Sequence, residues 1–288
     1  MSAAPHPLFI EARRILLDAL AVLGPQRDAV VLIGAQAVYL RVGDAGMAVT
    51  VHTTDADLGI LPEFLTDAPQ LSDMLRGADF TLSDEVGTWI KSATLPGRSE
   101  PVQIALDLMV PAAVGGSGRR GARIPPHGDR TARKARGIEA ALFDRSLMTV
   151  SALDRQDSRA IEVNVAGPAA LLVAKLHKIR DRADDPRRNQ EIAKDALDVL
   201  RLLRGTRTAE VATVLRELMS RSGTESSTRR STRDVVAEAL DYLGAEFTRA
   251  GARGPLLAAR AATGAEDPAI IAASLIALTT DLLDAVSR

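Results

Sequence analysis

The sequence predicts an α/β (α+β) fold, a small mixed sheet with flanking helices followed by a C-terminal helical bundle, on three observations. Short β-branched and aliphatic runs, broken by Gly, Pro and Asp, recur up to Pro111. From Ala166 onward apolar residues instead return every three or four positions, the helical period. Between the two textures, residues 115–137 follow neither pattern and collect Gly, Pro and Arg. The expected division is an α/β domain over 1–165 and a helical domain over 166–288 that completes the active-site cleft.

Taken in order, Leu8, Ile15, Leu16 and Leu20 predict a helix over 7–23, ended by Gly24 and Pro25. "AVVLIGA" is rich in β-branched residues and reads as a buried strand, and "QAVYLRVG" as a short helix closed by Gly43. "MAVTVHTTDADLGIL" alternates as a strand does. A helix is expected around 63–76, then strands near 80–82 and 89–94, then the apolar strand "PVQIALDLMVP" with its single acid Asp107. The stretch "GGSGRRGARIPPHGDRTARKARG" carries seven Lys and Arg against one acid and reads as a loop or mobile flap. "GPAALLVAKLHKIRDR" opens a helix at Pro168, and "NQEIAKDALDVLRLLRG" gives another that stops at Gly205. Three more helices follow in "AEVATVLRELMSR", "DVVAEALDYLGAEF" and "PAIIAASLIALTTDLLDAV", with "SGTESSTRRSTRD" as a polar linker.

Composition sets limits. The chain has 288 residues, 46% hydrophobic and 25% charged, with a net charge of −1, so no global field draws it to nucleic acid or membrane. It contains no cysteine, which removes disulfides and thiolate metal sites and makes a reducing cytoplasm the expected location. The N-terminal "MSAAPHPLFIEARRILLDAL" mixes acids and arginines into its apolar pattern, unlike a signal peptide. No run of about 18 apolar residues is evident, so no bilayer span and no membrane partner is expected. Aromatics make up 3%, too few for recognition by base stacking.

The chemistry concentrates in "VHTTDADLGI". On a strand, residues i and i+2 share a face, so Asp55 and Asp57 project side by side. Two such carboxylates repel, and a hard divalent cation such as Mg²⁺ relieves the conflict. If the strand of Asp107 lies alongside, a third acid joins them, and three strand acids could hold one or two Mg²⁺ for displacement at phosphorus. Upstream, Gly34 in "LIGAQAVYL" sits between a strand and a helix, where a phosphate can approach backbone N–H groups. In the helical half, Lys175 falls between Leu171 and Ile179 within the apolar stripe, where an ammonium needs an anionic partner. Lys178 and Arg182 border the same stripe, Asp195 lies at the edge of the next helix's stripe, and Asp198 is expected to point outward into solvent.

This order of motifs resembles the polymerase-β-type nucleotidyltransferase superfamily: a strand ending Gly-Ala, a short helix, then T-x-D-x-D. It is most similar to the AbiEii-like nucleotidyltransferase toxins of bacterial toxin–antitoxin systems. The resemblance extends over about residues 28–204, and the chain departs from the pattern at Ala35, where Ser or Gly is usual, and at Val51, where Arg is common. It implies an enzyme that moves an NMP from an NTP to an acceptor hydroxyl, with Mg²⁺ as cofactor. Asp55, Asp57 and Asp107 would be the metal ligands. Gly34, Ala35, Thr53, Lys175 and Lys178 would meet the nucleotide, with Lys175 and Asp195 supporting catalysis. The toxin likeness implies the 3′ end of tRNA as acceptor, held by Arg119, Arg120, Arg123, Arg130, Arg133, Lys134 and Arg136 through charge, and a cognate antitoxin as partner. Two alternatives stay open: a nucleotidyltransferase acting on an antibiotic or other small molecule, and a catalytically inactive protein of the same fold.

The four histidines receive no catalytic role. His52 is expected to face away from the strand acids, His177 to lie on the solvent side of its helix, and His127 to be a mobile surface residue. His6 lies in the N-terminal tail, and no spacing suggests zinc.

Overall fold

The computed structural model describes residues 5–47, 53–117, 120–220 and 227–288, with backbone alone for 227–231. In chain order the elements are α1 (Pro7–Val22), β1 (Val30–Ile33), α2 (Gly34–Val42), β2 (Asp55–Ile60), α3 (Leu71–Arg76), β3 (Thr81–Leu82), β4 (Thr88–Ala93), β5 (Val102–Pro111), β6 (Arg133–Ala135), β7 (Arg145–Ser151) and β8 (Ala160–Ala166). Helices follow to the end: α4 (Pro168–Arg182), α5 (Asn189–Gly205), α6 (Thr208–Ser220), α7 (Ser227–Phe247), α8 (Arg253–Ala261) and α9 (Pro268–Ser287). The predicted mixed α/β half and helical half are both present.

The strands form one mixed sheet in the order β3-β4-β5-β2-β1-β8-β7, with β6 added beside β5. β1 and β2 run antiparallel, whereas β2–β5 and β1–β8 are parallel. The central strands β1, β2 and β5 carry the most buried aliphatic residues, and in β2 the acids are confined to one face. All four residues of β1 are buried. Ala56, Leu58 and Ile60 of β2 have no exposed surface, and neither do Ile15, Leu16 and Leu17 of α1. Each such aliphatic side chain contributes about 1.5–3 kcal/mol of transfer free energy. That is what fixes β2 in register and sends its odd-numbered residues, Asp55 and Asp57, to the opposite face.

The chain forms two compact units. One comprises Met1–Ala37, Thr50–Ala135 and Arg145–Ala166; the other comprises Val38–Val49, Arg136–Asp144 and Gly167–Arg288. The first contains the sheet with α1 and α3, the second α4 to α9. In the second unit Gly167 and the start of α4 are pinned by Asp144, whose carboxylate accepts the Ala170 N–H at 2.8 Å. A β-carbon at Gly167 would overlap that carboxylate.

Several elements differ from expectation. The helix expected over 63–76 divides into a 3₁₀ turn at Pro62–Phe64 and the short α3. Pro69 explains the break, because it lacks an N–H and disfavours helical geometry in the residue before it. The β7–β8 hairpin was not expected; its outer strand is largely exposed and polar, so its alternation is faint. The described residues of 115–137 are largely a loop, as expected, but a packed one rather than a mobile flap. β6 forms within them, Ala122, Ile124 and Ala132 are buried, and the Thr131 carbonyl accepts the indole N–H of the fully buried Trp89 at 3.0 Å. The expected strand over 47–61 is observed as β2 only, and residues 48–52 lie outside the described residues. Finally, α9 is long and apolar enough to cross a membrane by length and composition, contrary to the expectation that no segment is. It packs on its own unit through Ile271, Leu275, Thr279 and Leu282.

Candidate active site

Three sequence choices put the strand acids together. β2 pairs with β5 in parallel register, with Asp57 directly beside Asp107 and Asp55 beside Ala105. Directly paired residues on neighbouring strands project to the same face, so Asp57 and Asp107 are neighbours, with Asp55 two residues along. On the other side, Ile33 of β1 is the partner of Asp57, and the chain turns into α2 at the next residue. That residue is Gly34, with φ +71°, and a β-carbon there would overlap the Asp57 carboxylate. The glycine is required twice, for the left-handed backbone and for the close approach of Asp57.

Around this pair the hydrogen bonds are specific. The buried Thr53 donates its hydroxyl to Asp55 at 2.5 Å, so Thr53 orients an acid rather than standing alone. Gln36, 1% exposed, donates its amide to the Asp55 carbonyl at 3.1 Å and accepts the Arg13 Nε–H at 2.8 Å. Arg13 also donates to the Ser151 carbonyl at 2.9 Å. Burial lowers the Arg13 pKa to about 10, which leaves it charged at neutral pH. Gln36 and Arg13 escaped sequence reasoning because their partners lie 19 to 138 positions away.

Asp107 is committed differently. One oxygen accepts the Thr88 hydroxyl at 2.7 Å and the other the Arg133 guanidinium at 2.8 Å. Among the described residues, no group of three or more His, Asp or Glu side chains stands ready to hold a metal ion. Asp107 lies beside Asp57 in the sheet but is engaged by Arg133 and Thr88 in this structure. Asp55 and Asp57 do suit a hard cation: two carboxylates at i and i+2 on one face, one steered by Thr53 and the other set against a turn that leaves no β-carbon in the way.

The basic segment is largely occupied by its own fold. Arg130 donates to the Asp84 carbonyl at 3.0 Å, Lys134 to the Gly116 carbonyl at 3.1 Å, and Arg133 to Asp107. Arg136 belongs to the second unit and pairs with Glu238 at 2.6 Å. Arg120 and Arg123 are exposed. Arg119 lies outside the described residues, as do Val51 and His52. Ala35 occupies the first turn of α2, half-buried.

In the second unit, α4 and α5 hold a buried ion network. The Lys175 ammonium lies 2.6 Å from Asp195 and 2.7 Å from Asp198. Asp198 meets Arg201 at 2.9 Å, and the Arg201 guanidinium lies 5.2 Å from the centre of the Tyr39 ring. Burial alone would lower the Lys175 pKa, but the charges of Asp195 and Asp198 outweigh it and raise it. Burial would raise Asp195, and Lys175 with Lys178 more than reverses this, leaving it lowered. Lys175 and Asp195 therefore both keep their charges at neutral pH. Lys178 is 3.5 Å from Asp195 with a side chain 33% exposed, against 5% for Lys175, so Lys178 presents the more accessible ammonium.

Three sequence expectations are corrected here. Asp198 is not solvated; it is 3% exposed and is the second carboxylate on Lys175. His177 is 1% exposed, and its Nε2–H donates to the Val235 carbonyl at 2.8 Å, because α7 covers what an isolated helix would leave in solvent. His127 is 2% exposed, accepting the Leu71 N–H and donating to the Thr66 carbonyl. His6 caps α1 by accepting the Leu8 N–H.

The sequence model of a family described as Nucleotidyltransferase matches residues 13–220, a span that includes the strand acids, Gly34 and the Lys175 network. Neither a curated protein nor a solved structure matches the chain.

Proposed function

The chain belongs to the nucleotidyltransferase family, and from that premise we propose that it attaches an NMP to the 3′ end of tRNA in a Mg²⁺-dependent reaction. The coarser facts follow from the family: the protein is an enzyme, its donor substrate is an NTP, and what it transfers is the nucleotidyl group. In the finer reading it acts in the cytoplasm as a growth-inhibiting toxin of the AbiEii-like kind, restrained by a cognate antitoxin. Blocking the tRNA 3′ end would stop aminoacylation, which supplies the growth arrest.

The single observation that carries the reading is the pair Asp55 and Asp57 on one face of β2, beside a glycine that the Asp57 carboxylate requires. Bound at that pair, Mg²⁺ would neutralise charge on the triphosphate. The chain supplies the rest. Thr53 holds the Asp55 carboxylate in one orientation, and Gln36 fixes the backbone from which it projects. Gly34 and Ala35 leave the turn into α2 open to phosphate oxygens. Asp107, once released from Arg133, would serve as a further metal ligand or as the base for the acceptor hydroxyl. In the second unit Lys178 keeps an accessible ammonium beside Asp195, itself held by Lys175, and such a charge would suit a departing pyrophosphate. Arg120 and Arg123 contribute the exposed charge for an RNA backbone.

The test is a labelled-NTP assay with Mg²⁺, offering total RNA beside a panel of aminoglycosides and related small molecules. Label on the 3′ end of tRNA supports the proposal. Label on a small molecule with none on RNA overturns the acceptor while leaving the family intact.

A further inference from the structure

The C-terminal helices contain a groove that the candidate site does not use. It has a volume of about 570 Å³ and is lined by the end of α4 and its following turn, the start of α5, the end of α7, and α8. Three of its residues are arginines: Arg249, Arg253 and Arg260. The lining contains a single acid, Glu246, leaving an excess of two positive charges.

Arg253, Leu256, Leu257 and Arg260 follow one another at i, i+3, i+4 and i+7, so α8 presents a single stripe reading cation, apolar, cation. Its two guanidinium-bearing positions are separated by roughly 10 Å along the helix axis. An anion that joins a phosphate to a flat apolar body can meet a guanidinium and the leucines of the stripe together, whereas inorganic phosphate gains the charge contact alone. Leu256 is 57% exposed in the middle of the stripe, so its side chain is open to contact by a ligand.

The guanidiniums are not consumed by the fold. Arg253 gives one N–H to the Ala183 carbonyl at 2.8 Å, and Arg249, just past α7, gives one to the Ala245 carbonyl of that helix at 3.2 Å. Among the described residues, the Arg260 side chain has no hydrogen bond or ion pair, and Glu246 has no ion pair. Each arginine thus keeps donors for a phosphate, which guanidinium forks match in geometry. The Glu246 carboxylate accepts only, which suits sugar hydroxyls.

We propose that this groove binds a nucleoside phosphate. The phosphate would lie on the arginines, a ribose hydroxyl on Glu246, and the base on Leu256 and the apolar wall. The inference does not rest on the reading of the strand acids. A nucleoside phosphate has two sources, a free nucleotide or one unit of an RNA chain, and the two are separable by experiment.

The experiment is calorimetric titration of the full chain in EDTA with three probes: inorganic phosphate, each 5′-mononucleotide in turn, and a single-stranded RNA hexanucleotide. At least one nucleotide probe is expected to bind tenfold or more tighter than phosphate. The double variant Arg249→Gln, Arg260→Gln, altered at two exposed side chains and checked for an unchanged Tm, is expected to lose that binding at least tenfold. Binding of mononucleotides assigns the groove to a free nucleotide; binding of the hexanucleotide alone assigns it to RNA. The proposal is overturned if no probe binds, if phosphate binds as well as the nucleotide probes, or if the double variant binds like the wild type.

Discussion

At Gly34 one hydrogen atom decides whether the candidate site exists. The backbone is left-handed there, which costs an L-residue roughly 1–2 kcal/mol, and a β-carbon would also displace Asp57. Gly34→Ala is expected to lower stability by at least about 1 kcal/mol in urea unfolding and to abolish transfer, whereas Ala35→Ser one position later should leave stability unchanged. Equal midpoints for the two variants would contradict this account of the turn. The two lysines of α4 separate in the same way. Lys175→Met would leave Asp195 and Asp198 buried without their cation, for an expected loss of about 3–5 kcal/mol. Lys178→Met removes a half-exposed charge, for an expected loss of about 0–1 kcal/mol, with its main effect a raised KM for NTP. Urea unfolding alongside NTP kinetics checks both expectations, and the reverse ranking of stabilities would show that the ion network is misassigned.

The packing of α4 against α7 carries a pH dependence. Burial lowers the His177 pKa, so the folded protein keeps the ring neutral where the unfolded chain already takes a proton. A lowered pKa on a basic group means that stability is full above the unfolded value of about 6.5 and falls as pH drops toward the folded value. Between pH 7 and pH 5.5 the urea midpoint of the wild type should decline, and His177→Gln, which can still donate to the Val235 carbonyl, should flatten the decline. A slope unaltered by the substitution would remove His177 from the account. The same helices mark how far the sequence could be read. The alternation in "DADLGI" and the apolar "IALDLMV" were enough to place three acids on strands, because period 2 and burial dictate face and position. The helical wheel placed Lys175 inward correctly, since its stripe belongs to α4 alone. It misplaced Asp198 and His177, because whether a helix flank is solvent or core depends on α4, α5 and α7 packing together. The Arg13–Gln36–Asp55 chain and the Arg133–Asp107 pair were illegible for a related reason: each joins residues far apart in sequence that only the sheet brings together.

At the scale of the whole molecule, a net charge of −1 gives RNA no general attraction, so any binding must come from local charge. Arg120→Gln with Arg123→Gln should weaken tRNA binding and shallow its salt dependence by about one to two counterions, measured by filter binding at several salt concentrations. An unchanged slope would place the RNA contact elsewhere. The family assignment reaches from residue 13 to residue 220 and so leaves α7, α8 and α9 outside it. The claim on which the functional account depends is narrower: the two acids of β2 carry nucleotidyl transfer. The most direct measurement is transfer of label from each NTP to purified tRNA, with Mg²⁺ or with EDTA, by the wild type and by Asp55→Asn and Asp57→Asn of verified fold. The account predicts Mg²⁺-dependent labelling by the wild type and a loss of at least about a hundredfold in each variant. Variants that label tRNA as fast as the wild type, or a wild type indifferent to EDTA, would contradict it.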